Sequence, residues 1–307
     1  MKATHPPALT ALHFTKMQGL GNDFVVFDGI RQQVHLAPEQ IRAIADRHFG
    51  IGCDQVLLVE KPDSSDCDFR YRIFNADGGE VAQCGNGARC LAIFVRRSGL
   101  CDKAIIQVET RSGRMQLQIL ENGEVLVDMG VPRFAPGQIP LRAAEEGPEY
   151  LLEVDHDTLR MAALSMGNPH AVLRVPDIRH APVTRLGPRI ENHPDFPQRC
   201  NVGFMEICDR THIRLRVWER GAGETLACGS NACAAVVAGI RWGELDQTVV
   251  VDLPGGRLCI QWAGPGQAVM MTGPAQVVFD GTWSLQTDRQ AAKGESDHAG
   301  HDIARHC

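Results

Sequence analysis

The chain lacks the features that mark several large classes of protein. It has no basic excess: 31 Lys and Arg face 37 Asp and Glu, a formal net charge of −6, so it offers no cationic footprint for nucleic acid. No stretch approaches the roughly 18 apolar residues of a membrane span, and the start has no charged-then-apolar signal pattern. Its 11 cysteines include no paired Cys-x-x-Cys knuckle, which removes the spacing of a structural zinc site. Their odd number and irregular spacing are also wrong for the disulfide framework of a small secreted domain, and a chain of 307 residues can bury a core without one. Together these absences predict reduced thiols in a cytoplasmic protein with no nucleic-acid partner, no membrane partner and no metal. Apolar and charged fractions of 44% and 22% are ordinary for a globular fold.

Most of the cysteines (Cys53, Cys67, Cys90, Cys101, Cys200, Cys208, Cys233 and Cys259) read as small buried or half-buried hydrophobes. Cys84 and Cys228 differ, because each opens the same phrase: Cys84-Gly85-Asn86-Gly87-Ala88 and Cys228-Gly229-Ser230-Asn231-Ala232. An offset of 144 between them also aligns Arg72 with Arg216, Gly79-Glu80 with Gly223-Glu224, Arg97 with Arg241 and Gly99 with Gly243. Two related halves that each present one thiol suit a site in which a pair of cysteines faces a single ligand.

Residues 1–12 read as a loose leader and 286–307 as a disordered tail, polar and without apolar periodicity. Between them short strands dominate. Met115, Leu117 and Ile119 alternate with polar residues, as do Val125, Val127 and Met129; Asn122-Gly123 between them predicts a two-residue hairpin turn. Ile213, Leu215 and Val217 alternate likewise, and Val249–Val251 and Leu258–Ile260 flank a Pro254-Gly255-Gly256 turn. Three stretches predict helices. Pro38–His48 is amphipathic, with Gly50 beyond its end. Ala88–Arg97 and Ala232–Arg241 are apolar on nearly every side and must be buried, with Gly99 and Gly243 terminating them. The fold class that follows is α+β, an α/β roll of two pseudo-symmetric lobes. Each lobe is a curved, mostly antiparallel sheet wrapped around a central helix, with both helix N-termini pointing at the cleft between lobes. Residues 13–128 with 274–285 form the expected N-terminal lobe and 129–273 the C-terminal one.

A cysteine at a helix start is chemically distinctive. Only the thiolate is a strong base, and the unpaired N–H groups and positive dipole end of the helix favour it. The same N–H groups can hold a carboxylate, and the glycine after each cysteine lets a ligand approach the backbone. Two such starts could clamp one carboxylate and spread the charge that develops when its α-proton leaves. One cysteine must then be thiolate and the other thiol, exchanging states in each turnover.

The chain resembles diaminopimelate epimerase along essentially all of its ordered length. The motifs are Asn75-Ala76-Asp77-Gly78-Gly79-Glu80 running through Cys84-Gly85-Asn86-Gly87-Ala88-Arg89-Cys90, and Glu219-Arg220-Gly221-Ala222-Gly223-Glu224 running through Cys228-Gly229-Ser230. Gly19–Phe24, Asp54-Gln55, Ser165–His170 and Asn201–Phe204 complete the pattern. The resemblance implies conversion of LL-2,6-diaminopimelate to the meso form, in lysine and peptidoglycan-precursor synthesis, by a homodimer that uses neither pyridoxal phosphate nor metal. It implies Cys84 and Cys228 as the acid–base pair, with His170 and Glu219 setting their protonation. Asn22, Gln55, Asn75, Asn86, Asn168 and Asn201 match substrate contacts, and Arg220 matches the clamp on the distal carboxylate, a role its guanidinium fork suits. The backbone amides of Gly85, Asn86, Gly229 and Ser230 would hold the carboxylate at the reacting carbon, and Glu219 joins the binding set. Four residues depart from the family pattern: Cys53 adds a thiol beside Asp54, Asn231 replaces a glycine, Gly79 a serine, and Phe279 a tyrosine linked to dimer contacts.

Two other readings compete. A proline or hydroxyproline racemase would leave Arg220, Asn168 and Asn201 without a purpose. A thiol redox protein would need the two cysteines but not the asparagines.

Overall fold

The computed structural model of the chain describes residues 11–81 and 84–284. The expected tail, and the expected leader as far as residue 10, lie outside this range. Ala11 and Leu12, expected in the leader, already form the start of the first strand, where Leu12 is buried.

The strands join in one mixed sheet that the chain lays down twice in the same order. In the first half β1 (Ala11–Gly19) pairs antiparallel with β2 (Asn22–Asp28), β2 parallel with β3 (Gln55–Glu60), and β3 antiparallel with β4 (Phe69–Asn75). The short β5 (Glu80–Val81) turns back on β4, β6 (Ile105–Thr110) runs parallel to β4, and β7 (Gly113–Ile119) and β8 (Val125–Asp128) finish a meander. After β9 (Tyr150–Val154), the second half repeats the pattern. There β10 (Asp157–Ser165) pairs antiparallel with β11 (Pro169–Arg174), and β11 parallel with β12 (Asn201–Asp209). Next, β13 (His212–Glu219) pairs antiparallel with both β12 and β14 (Gly223–Thr225), and parallel with β15 (Thr248–Leu253). Finally β16 (Gly256–Trp262) and β17 (Val269–Gly273) close the second meander. Antiparallel pairing of β8 with β17 joins the halves, and β18 (Gln276–Ser284) returns to lie along β1.

Parallel neighbours require a crossover, usually a helix, and each of the four parallel pairs has one. They are α1 (Pro38–Ala45), α2 (Gly85–Arg97), α3 (Val183–Glu191) and α4 (Gly229–Arg241). The apolar helices α2 and α4 are the inner pair. Their Leu91, Val95, Ala235 and Val236 share one core with Phe24, Leu57, Ile73, Leu215, Val251 and Ile260 from the sheet. Strand side chains alternate between faces, so Val25, Phe27, Val56 and Leu58 point outward, where Ile41 and Ile44 of α1 cover them. Val183, Leu186 and Ile190 of α3 cover Ala171, Leu173, Val202 and Phe204 in the same way. Each such aliphatic side chain contributes roughly 1.5–3 kcal/mol by leaving water.

Four further points of the sequence reading need correction. Helix α1 stops at Ala45, not His48, because the Asp46 carboxylate accepts the N–H groups of His48 and Phe49 at 2.7 Å and turns the chain out of the helix. Helix α3 was not expected, since Gly187 and Pro188 read as breakers. Burial of its apolar stripe prevails, and a methyl group at Gly187 would lie 2.5 Å from the Trp218 ring. The β7–β8 connection is a three-residue turn with Gly123 left-handed at φ 84°, because the Leu120 N–H bonds the Glu124 carbonyl. Cys208, expected buried or half-buried, is exposed.

Candidate active site

Both apolar helices begin three residues earlier than their sequence pattern indicates, at Gly85 and Gly229. Cys84 and Cys228 therefore occupy the N-cap positions themselves, in extended backbone (φ −147°, ψ 119° and φ −127°, ψ 112°). Their carbonyls accept the first helical hydrogen bonds, from Ala88 at 2.9 Å and Ala232 at 3.0 Å. The glycine after each cysteine is a packing requirement. A methyl group on Gly85 would lie 2.8 Å from Met271 Cε, and one on Gly229 would lie 2.9 Å from Met271 Sδ. One methionine of β17 thus nestles against both helix starts. Asn86 Nδ2 donates to the Ala227 carbonyl at 3.2 Å, tying the first start to the residue before Cys228.

Around Cys84 the partners are neutral amides and a phenol. Asn22 Nδ2 donates to Asp54 Oδ2 at 2.9 Å, which leaves its Oδ1 facing Cys84 Sγ at 3.7 Å and Asn86 Nδ2 at 3.3 Å. Asp54 is itself held by Arg47 Nη2 at 2.8 Å and by the Asp23 N–H at 3.1 Å. The Tyr71 hydroxyl accepts the Cys84 N–H at 3.0 Å and donates to the Cys84 carbonyl at 3.2 Å. Beside this cluster Gln55 Nε2 donates to Asn75 Oδ1 at 2.8 Å, the two residues being paired across β3 and β4.

Around Cys228 the partners are a hydroxyl and a carboxylate. Ser230 Oγ lies 3.5 Å from the sulfur. Glu219, at the end of β13, accepts from Thr225 Oγ1 at 2.5 Å, and its charge acts on the Cys228 thiol. A third group stands apart from both thiols. Asn201 Oδ1 accepts the Arg220 N–H at 3.0 Å, and its Nδ2 donates to the Pro169 carbonyl at 3.2 Å. Arg220 is exposed, with Nη1 on the Gln198 carbonyl at 3.0 Å. His170, fully buried, has Nε2 2.9 Å from Asn168 Oδ1, while its Nδ1 has no hydrogen-bond partner. It is hydrogen-bonded to neither sulfur.

Burial dominates the protonation states. It pushes the Cys84 thiol up to about 11, against the pull of the Gly87 and Asn86 N–H groups and of Arg89, and the Glu219 charge adds to the rise. Cys228 rises well above the ordinary thiol range through burial and then the Glu219 charge, opposed by Ser230 and the Asn231 N–H. Glu219 is raised too, by burial. Burial, then the Arg220 guanidinium, drive His170 down to about 3, so its imidazole is neutral. Both sulfurs thus hold their protons, with one carboxylate beside Cys228.

The sequence reading thus named both thiols and the amides about them, but it missed the groups that hold these in place. Tyr71 is one of only 2 tyrosines and gave a signal only by that rarity. Met271 and the Asp54 contact to Asn22 gave none, because each depends on segments far apart in the chain.

A sequence profile described as diaminopimelate epimerase matches residues 14–135 and 162–278. The chain belongs to the diaminopimelate epimerase family. Among its relatives, the "Diaminopimelate epimerase" of Pseudomonas savastanoi pv. phaseolicola is 59% identical over 270 residues, covering 88% of this chain and 98% of the relative. The protein of that name from Thioalkalivibrio sulfidiphilus is 61% identical over 273 residues, with the same coverage. More distant solved structures share the fold. A phenazine biosynthesis protein of the PhzF family from Bacillus anthracis aligns with a TM-score of 0.65 at 18% identity, over 90% of this chain and 100% of that one. A hydroxyproline epimerase from Agrobacterium vitis aligns at 0.65 and 15% identity, over 90% and 93%. The two-lobe α+β architecture is therefore common to this family and to those more distant chains.

Proposed function

We propose that the chain converts LL-2,6-diaminopimelate to meso-diaminopimelate by exchanging a proton between Cys84 and Cys228 across one α-carbon. The observation that carries this reading is the placement of both thiols at N-caps of inner helices whose starts are tied by Asn86 and share contact with Met271. One thiolate removes the α-hydrogen while the opposite thiol delivers a proton, and the two exchange roles on the return. The N–H groups at Gly85, Asn86, Gly229 and Ser230 hold the reacting carboxylate and spread the developing charge. Glu219 takes or returns the Cys228 proton, a task its raised pKa suits. Neutral His170 is the second group that the reading assigns to setting the protonation of the thiols.

Asn22, Gln55, Asn75, Asn86, Asn168 and Asn201 receive the amino and carboxylate groups, and the exposed fork of Arg220 binds the distal carboxylate. A two-ended substrate explains why a site that already has two helix starts also has a guanidinium. The same reading assigns residues 13–128 with 274–285 to one lobe and 129–273 to the other, and needs neither pyridoxal phosphate nor metal. It places the enzyme in the cytoplasm as a homodimer, whose contact would use the β18 face, where Val278 and Phe279 are exposed. No helix among the described residues is long and apolar enough to cross a membrane. The deciding experiment incubates LL-diaminopimelate with the protein in heavy water. Conversion to the meso form with deuterium at the α-carbon supports the reading. Absence of both with reduced, folded protein sinks it, and proline and hydroxyproline become the next substrates to try.

A further inference from the structure

Arg89 is fully buried in α2, one turn beyond Cys84. Its guanidinium bonds only neutral acceptors: Nη2 to Asn86 Oδ1 at 3.0 Å, Nε to the Pro274 carbonyl at 3.0 Å, and Nη1 to Met271 Sδ at 3.7 Å. Among the described residues no carboxylate forms an ion pair with it. Taking a cation out of water without an anion is costly, so its compensating charge has to be found elsewhere. We propose that Arg89 is a positioning residue for the epimerisation: it orients the Asn86 amide and is the standing counter-charge for the thiolate that each turnover creates at Cys84. The inference rests on the two-thiol reading above.

The surroundings single out Cys84. The ionisable groups that face Arg89 are Cys84 and Cys90 of α2, Cys233 of α4, and Glu124 of the β7–β8 turn. Cys90 and Cys233 are pushed to about 12 by burial and stay protonated. Glu124 lies beyond ion-pair reach. Facing Cys84 in turn are Glu219 from β13, the Tyr71 hydroxyl from β4, and Arg89. Arg89 is a cation among them, and it opposes Glu219. Through Asn86 the same guanidinium reaches the second lobe, since Asn86 Oδ1 accepts from Arg89 while Nδ2 donates to the Ala227 carbonyl. That fixes the orientation of the amide.

The test separates charge from hydrogen bonding. Arg89→Gln can keep the bond to Asn86 without the charge, and Arg89→Lys keeps the charge without the fork. The rate of Cys84 alkylation by iodoacetamide, mapped by mass spectrometry from neutral to alkaline pH, reads the thiol directly and needs no substrate. In Arg89→Gln the Cys84 titration should move up by about one pH unit, a roughly tenfold slower alkylation at fixed pH. The rising limb of kcat/KM should move with it. In Arg89→Lys the titration should stay near wild type while kcat falls. A folded Arg89→Gln variant with the wild-type titration would overturn the proposal. So would an Arg89→Lys titration raised by a full unit, which keeps the idea open to refutation if the Gln variant does not fold. Failure of the wild-type protein to epimerise would instead count against the two-thiol reading.

Discussion

The two halves of the molecule place their candidate site residues at the same four points of the fold, yet fill them with different chemistry. Asn22 and Asn168 each follow a left-handed glycine, Gly21 at φ 85° and Gly167 at φ 92°, in the turn after the first strand of their half. Gln55 and Asn201 begin the next paired strand, Asn75 and Glu219 end the one after it, and Cys84 and Cys228 cap the inner helices. Duplication therefore supplies the geometry of a two-faced site. The differences supply its direction. Asn75 has become Glu219 in the second half, and the position of Arg89, at the same offset of 144, is held by Cys233. The Glu219 charge acts on both thiols, but the first also has amides and a buried cation about it, whereas the second has a hydroxyl. Two thiols in identical surroundings would titrate together. An epimerase needs one charged and one protonated at a time, and unequal neighbours are a physical means of arranging that.

The comparison breaks first at the sulfurs themselves. Cys84→Ala and Cys228→Ala should each reduce epimerisation by about 10³- to 10⁴-fold, the upper range for a positioned acid or base, with substrate binding retained by calorimetry. Loss in one variant only would mean that the halves are not partners in proton transfer. The next largest effect is expected at the substituted pair Asn75 and Glu219. Glu219→Gln removes the charge that raises Cys228, so the Cys228 titration should fall and its alkylation at fixed mildly alkaline pH should quicken about tenfold. Turnover should drop roughly 100-fold through loss of the base. Asn75→Ala should leave the Cys228 titration where it is. Equal shifts in the two variants would show that the carboxylate does not distinguish the lobes.

How much of this was legible in the sequence differs between scaffold and contacts. Alternation and helical periodicity are local, so β7, β8, β13, β15 and β16, with α1, α2 and α4, could be read from residues close together in the chain. The offset of 144 carried the duplication. Helix α3 escaped because Gly187 and Pro188 oppose a helix locally, and only the Trp218 ring, from β13, explains the glycine. The cysteines were read as helix starts, but the first three residues of α2 and α4 escaped the apolar pattern, since Gly85-Asn86-Gly87 looks like loop until burial against Met271 is known. The thiols were singled out by the internal repeat and the amides by motif resemblance, while the holding contacts, Asp54 to Asn22 and Tyr71 to Cys84, arise from tertiary pairing that no spacing reveals.

A smaller difference lies at the strand following each glycine–asparagine turn, where Phe24 in the first half corresponds to His170 in the second. The buried imidazole titrates near 3 rather than 6.5, so the unfolded chain takes up this proton first as pH falls. Its contribution to stability is complete above about 6.5 and is lost between there and about 3. At pH 5 the loss is on the order of 2 kcal/mol relative to neutral pH. In urea unfolding, the drop in stability from neutral pH to pH 5 should shrink by that amount in His170→Gln. An unchanged drop would mean that the imidazole accepts a proton in the folded state.

The smallest effect is expected where the halves look most alike. Arg72 grips Glu80 through two bonds of 3.0 and 2.8 Å, and Arg216 grips Glu224 through bonds of 2.7 and 3.1 Å. Both pairs are partly exposed, so solvent screens them, and Arg72→Ala should cost no more than about 1 kcal/mol. Arg216 does additional work. Its Nη1 also donates to the carbonyls of Ile178 and Ala181, at 3.2 and 3.3 Å, binding β13 to the segment that leads into α3. Truncation there leaves both carbonyls without that donor, and the cost should rise to about 2 kcal/mol. Urea midpoints of the two variants, with unchanged slopes, measure the difference directly. If the two substitutions cost the same, the added carbonyl contacts contribute nothing, and at this position the halves are equivalent in energy as well as in sequence.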